Sequence, residues 1–84
     1  MQITFKLFAT LTDYLPPDAR RANQVELDVP EGATVLQVYE PYGLPAKMVH
    51  LVLVNGHYIA PEDRATTALK AGDALAIWPP IAGG

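Results

Sequence analysis

Two stretches of strict alternation, one near each end of the chain, limit what this sequence can fold into. Near the start, apolar Ile3, Phe5 and Leu7 alternate with Gln2, Thr4 and Lys6. Near the end, Leu75 and Ile77 alternate with Ala76 and Trp78. Successive side chains on a strand point to opposite faces, so each stretch has one face that must be buried. Val25, Leu27 and Val29, set between Glu26 and Asp28, have the same period. Leu51-Val52-Leu53-Val54 is apolar at every position, which predicts an inner strand covered on both faces. Asn55-Gly56 follows at once, the strongest two-residue hairpin signal, with His57-Tyr58-Ile59 as a short return strand.

One helix is written between these strands. Pro30-Glu31-Gly32 turns the chain, and Thr34 is followed three residues later by Gln37, the spacing of a capping box. Pro41 lacks an amide hydrogen and clashes one turn back, so the helix ends or kinks near Glu40. Tyr42-Gly43-Leu44-Pro45 reads as an exit loop. Residues 12–23, with Pro16-Pro17-Asp18 inside, read as a loop as well. Residues 60–73 are irregular, anchored by Leu69 and closed by the turn Ala71-Gly72-Asp73. Eighty-four residues make one small domain, 1–84, with a flexible tail from about residue 79. The order of elements predicts an α+β fold of the β-grasp type. A mixed sheet of four to five strands packs on one main helix, with the first and last strands side by side and parallel at the centre.

Composition removes several classes of function. Half the residues are apolar and the net charge is −3, with the acids scattered and no basic run. Nucleic acid and anionic membrane are therefore not expected as partners, and a basic groove on another protein fits better. No cysteine is present, so the chain has neither a disulfide framework nor thiol chemistry of its own. The start, Met1-Gln2-Ile3-Thr4-Phe5-Lys6, lacks the form of a signal peptide, and a cytoplasmic protein is expected. His50 and His57 have no companions at metal-ligand spacing, and no bound metal or cofactor is expected. Glu62-Asp63-Arg64 reads as a solvated charged loop, and Arg20-Arg21 as a basic spot too small for nucleic acid. No nucleophile–base set, phosphate loop or dinucleotide fingerprint occurs.

The end of the chain carries the chemistry. After the last strand come Pro79, Pro80, Ile81, Ala82, Gly83 and Gly84. A free carboxylate is a poor acyl donor, because its leaving group is oxide. Conversion to a mixed anhydride with a nucleotide phosphate makes it reactive, and a sulfur nucleophile then displaces the phosphate. Glycine has no Cβ and passes a narrow channel. The two prolines stiffen the approach and lower the entropy lost on docking. Fully extended, residues 79–84 reach roughly 20 Å. The plain alternative is a frayed end without a role, or residues appended artificially. Phe8 and Trp78 both take outward slots, and on neighbouring strands they form an exposed aromatic patch suited to docking. Their plain alternative is cover by residues 60–70.

Together these residues resemble the MoaD/ThiS sulfur-carrier family of ubiquitin-like β-grasp proteins. The resemblance rests on residues 72–84, where Asp73, Pro79, Pro80, Gly83 and Gly84 match the branch of the molybdopterin synthase small subunit. It extends to Val54-Asn55-Gly56 and to Glu31-Gly32-Ala33-Thr34-Val35. It implies a carrier, a co-substrate rather than an enzyme. A ubiquitin-activating-like adenylyltransferase would spend ATP to adenylate Gly84. A sulfur donor protein would make the thiocarboxylate, and an acceptor such as the molybdopterin synthase large subunit would take the sulfur for molybdenum or tungsten cofactor. Phe8, Trp78 and residues Pro79, Pro80, Ile81, Ala82 and Gly83 would touch these partners. Thr12 stands where that branch commonly has arginine, and Pro41 where its helix usually continues. The same scaffold serves thiamine, cysteine and transfer-RNA thiolation pathways. A ubiquitin-like modifier joined to lysines, or a purely regulatory dock, remains the competing class.

Overall fold

The computed structural model describes residues 1–80, and the expectations placed on Ile81, Ala82, Gly83 and Gly84 lie outside them. Five strands form one mixed sheet: β1 (Gln2–Leu7), β2 (Gln24–Asp28), β3 (Leu51–Val54), β4 (His57–Tyr58) and β5 (Ala74–Trp78). Their order across the sheet is β2-β1-β5-β3-β4. β1 and β5 run parallel, with Phe5 opposite Leu75 and Leu7 opposite Ile77. The other pairings are antiparallel. The alternation acts as expected. Ile3, Phe5, Leu7, Val52, Leu75 and Ile77 share the inner face and are buried.

A single short helix, α1 (Val35–Tyr39), covers that face. Its start is the capping box written in the sequence. Thr34 Oγ1 accepts from the Gln37 amide at 3.3 Å, and Gln37 Oε1 accepts from the Thr34 amide at 3.0 Å. Both bonds occupy amides that a helix start leaves without partners. Pro41 ends α1 as predicted. The chain tightens into a 3-10 turn over Glu40–Tyr42, and Gly43 (φ 70°) reverses it in the left-handed region. Val35 and Val38 enter the core, and Tyr42 is tilted onto Phe5 with ring centroids 4.8 Å apart. The Asn55-Gly56 hairpin forms too, both residues at positive φ as its turn requires.

Three sequence expectations fail, each for a physical reason. Residues 12–23 are not a featureless loop. Residues Ala9–Tyr14 and Pro17–Ala19 form 3-10 turns, and Leu11 and Leu15 are buried core residues. Leu11 lies inside the first turn and Leu15 follows its end, and neither belongs to an alternating run that a search for strands would find. Leu51–Val54 is not covered on both faces. α1 lies on one side only, and Leu51 on the other side is 36% exposed. Arg64 is not solvated but 6% exposed. Its Nε donates to the Ile59 carbonyl at 3.2 Å. Nη1 and Nη2 reach the Val49 and His50 carbonyls at 3.4 and 3.5 Å. The guanidinium thus ties the irregular segment to the entry of β3, with no carboxylate in ion-pair range among the described residues.

Burial raises the Tyr42 hydroxyl above the ordinary tyrosine value near 10. The unfolded chain therefore ionises first as the solution becomes alkaline. The stability contributed by neutral Tyr42 is complete below about pH 10 and is lost as the pH climbs through the folded value. Urea midpoints taken from pH 8 to pH 11 will fall more steeply for the native chain than for Tyr42→Phe. Parallel curves refute the assignment.

Candidate functional site

The parallel pairing of β1 and β5 places two aromatic rings at one end of the sheet. The ladder is extended past β1 by the Phe8 amide, which donates to the Ile77 carbonyl at 3.2 Å. Ala9 then turns the chain away at φ 53°. Phe8 and Trp78 both point outward, and their rings stack face to face, centroids 4.1 Å apart and planes 5° apart. Each half-buries the other, so the pair is neither core nor free in solvent. Residues 64–69 lie elsewhere: Arg64, Thr67 and Leu69 share backbone hydrogen bonds with Leu36, Val35 and Ala33 at the start of α1, on the inner face of the sheet. Such a stacked aromatic pair contributes about 0.5–1.5 kcal/mol beyond its buried area. The rings are therefore held as one flat apolar platform before any partner arrives.

Three more residues extend this platform, and the sequence reading missed them. Leu51 stands opposite Trp78, Leu53 opposite Ala76, and Tyr58 opposite Leu53. These cross-strand partners share the outer face. Tyr58 is 56% exposed. The outer face thus carries a continuous apolar strip from Phe8 through Trp78 and Leu51 to Tyr58. The available signal was the all-apolar run itself: with one helix to cover one face, half of Leu51–Val54 has to look outward.

The tail leaves from the end of this strip. β5 stops at Trp78, whose carbonyl accepts from the His50 amide at 3.1 Å. Pro79 is half-buried and Pro80 exposed, so the path out begins beside the stack. At its other end β5 is fixed by a clamp. Asp73 Oδ1 accepts from Asn55 Nδ2 at 2.9 Å, and Oδ2 accepts from the Lys70 amide at 2.8 Å. Asn55 Oδ1 in turn accepts from the Ala74 amide at 2.9 Å. Asp73 and Asn55, both singled out in the sequence, are thus structural: they join the hairpin to the start of β5. Among the described residues no cluster of three or more His, Cys, Asp or Glu could hold a metal, and no helix is long and apolar enough to cross a membrane. Asp73→Ala deletes two accepted bonds and is expected to cost about 1–2 kcal/mol by urea denaturation while leaving the Phe8–Trp78 stack intact in near-ultraviolet circular dichroism. An unchanged midpoint contradicts the clamp.

The chain's likeness to known proteins agrees with this geometry. The sequence model of the ThiS family matches residues 6–84. Among curated proteins no sequence matches significantly. Solved structures do. Small archaeal modifier protein 1 of Haloferax volcanii is 27% identical, with 95% of this chain and 98% of that one covered at a TM-score of 0.69. The thiamine biosynthesis protein ThiS of Geobacter metallireducens is 19% identical over the whole of both chains, TM-score 0.65. A chain from the complex of subunits 1 and 2 of the molybdopterin-converting factor of Helicobacter pylori is 17% identical over the whole of both chains, TM-score 0.61. The last two show a shared fold.

Proposed function

The chain belongs to the MoaD/ThiS sulfur-carrier family, and from that premise we propose that its working group is the carboxylate of Gly84. The observation that carries the proposal is that the family match runs through residue 84, taking in the tail that leaves beside the Phe8–Trp78 stack. In this reading the folded domain is a handle. A ubiquitin-activating-like adenylyltransferase grips the outer face and admits residues 79–84 to its active site. There a Gly84 carboxylate oxygen attacks the α-phosphorus of ATP, and pyrophosphate leaves. Sulfide-level sulfur from a donor protein then attacks the acyl carbonyl, and AMP leaves. In the active site of an acceptor enzyme the thiocarboxylate sulfur attacks the substrate, and water then cleaves the acyl–sulfur bond, which leaves the sulfur on the substrate and returns the Gly84 carboxylate. ATP belongs to the activating partner, and this chain supplies no side chain to the chemistry.

The pathway we favour is molybdopterin synthesis, because Asp73, Pro79, Pro80, Gly83 and Gly84 match that branch residue by residue. Thiamine, cysteine and transfer-RNA thiolation use the same type of tail and differ in the acceptor. A second reading is a ubiquitin-like modifier, favoured by the likeness to small archaeal modifier protein 1. The two separate cleanly, since a modifier forms higher-mass adducts on lysines that require Gly84.

Incubation with a cognate activating enzyme, ATP and a sulfur source is expected to exchange one oxygen for sulfur at the C-terminus, read by intact mass. One alanine added after Gly84 is expected to abolish the exchange without altering the fold. A sulfur-free product with a proven partner, or an active extended chain, overturns the proposal. Trp78→Ala removes half of the platform and is expected to weaken binding of the activating enzyme about 30-fold or more, the effect of losing a hot-spot residue of at least 2 kcal/mol. Wild-type affinity in that variant places the grip elsewhere.

A further inference from the structure

The sheet has a second feature that the carrier reading does not use: the open edge of β2. The alternation of antiparallel bonds decides which backbone groups that edge presents. The Val29 amide donates to the Met1 carbonyl at 2.8 Å, and the Leu7 amide to the Asn23 carbonyl at 3.1 Å. Odd-numbered residues of this strand therefore pair with β1, and the amides and carbonyls of Gln24, Glu26 and Asp28 face away from it. Natural edges are commonly blunted by lysine, proline, a bulge or shortness. β2 has five residues and none of the first three; its charged side chains, Glu26 and Asp28, guard the edge against acidic segments and not against basic ones.

Beside this edge, between β2 and the end of α1, lies a groove of about 650 Å³. Leu27, Val29, Ala33, Val38, Pro41 and Tyr42 give it an apolar lining. Its rim is acidic: Asp28 and Glu31 line it. The Met1 amine, 3.3 Å from Asp28, is the single cation paired to this rim among the described residues.

We propose that the β2 edge and its groove form a second docking site, which takes an extended, basic segment of a partner protein by strand addition. Three backbone amides and three carbonyls wait in register for it. Its alternate apolar side chains lie over the groove, and flanking lysines or arginines meet Asp28 and Glu31. A second copy of this chain is the poorer occupant, because β2 against β2 sets glutamate and aspartate against their like. β2 is two strands away from β5, so a segment held here leaves the Phe8–Trp78 platform and the tail free. One partner can hold the carrier by this edge while another works on its end.

The test is an NMR titration of the full chain with the capped peptide KKITVTIKK, alongside EEITVTIEE and the proline-interrupted KKITPTIKK. The basic peptide is expected to bind with a Kd on the order of 100 μM, near −5.5 kcal/mol. It should shift the amides of Gln24, Glu26 and Asp28 and of groove residues Ala33 and Val38. Both control peptides should bind at least about tenfold more weakly, and Glu31→Lys should cost a similar factor with the rest of the spectrum unchanged. Phe8→Ala should leave the peptide affinity intact. Shifts confined to the Phe8–Trp78 face, equal binding of the acidic peptide, absence of shifts at millimolar peptide, or self-association through β2 each overturn the proposal. None of these outcomes touches the oxygen-for-sulfur exchange, which is measured separately.

Discussion

The pairing of β1 with β5 is the contact on which the rest of the molecule is assembled. It joins residues 4–7 to residues 74–77 in parallel, so most of the chain must be looped out before it can form. Closing a loop of that length costs entropy that no local contact repays. The return comes from Phe5, Leu7, Leu75 and Ile77, which are wholly buried side by side. β2 and β3 flank this central pair antiparallel, and α1 caps the inner face. The same pairing brings Phe8 to Trp78 and sets the point from which the tail departs. The architecture and the proposed docking face have a common origin.

What the sequence disclosed follows the reach of local rules. Alternation located β1, β2 and β5, the Thr34–Gln37 spacing located the start of α1, and Pro41 located its end. Asn55-Gly56 fixed the hairpin. The aromatic platform was legible as well, because Phe8 broke the polar pattern of its strand and Trp78 matched it on the neighbour. The failures are at positions where the neighbour, not the residue, decides. Leu11 and Leu15 look like loop leucines until the 3-10 turns put both beneath the sheet's end. Arg64 sits in a run of charges and looks solvated; only the fold shows three carbonyls converging on its guanidinium. Leu51 and Leu53 look like core, and only the count of covering layers shows that α1 lies over the other face.

That uneven covering gives the molecule its division of labour. The inner face, with α1 and the buried turns, contributes the stability. The outer face keeps an apolar strip, and the open edge at β2 carries acids. If the working group is the terminal carboxylate, as proposed, the folded domain acts through such surfaces. In the proposed function, recognition of the domain and chemistry at the tail fall on separate parts of the chain.

Trp78 is the sole tryptophan of the chain, and it lies flat on Phe8 at the mouth of the tail. Indole emission reports the polarity and the packing of its immediate surroundings. Every encounter that buries this corner therefore writes itself into the colour and intensity of one fluorophore. The carrier has a built-in optical gauge where its partners are proposed to sit, and handovers between them can be followed in real time without attaching a dye.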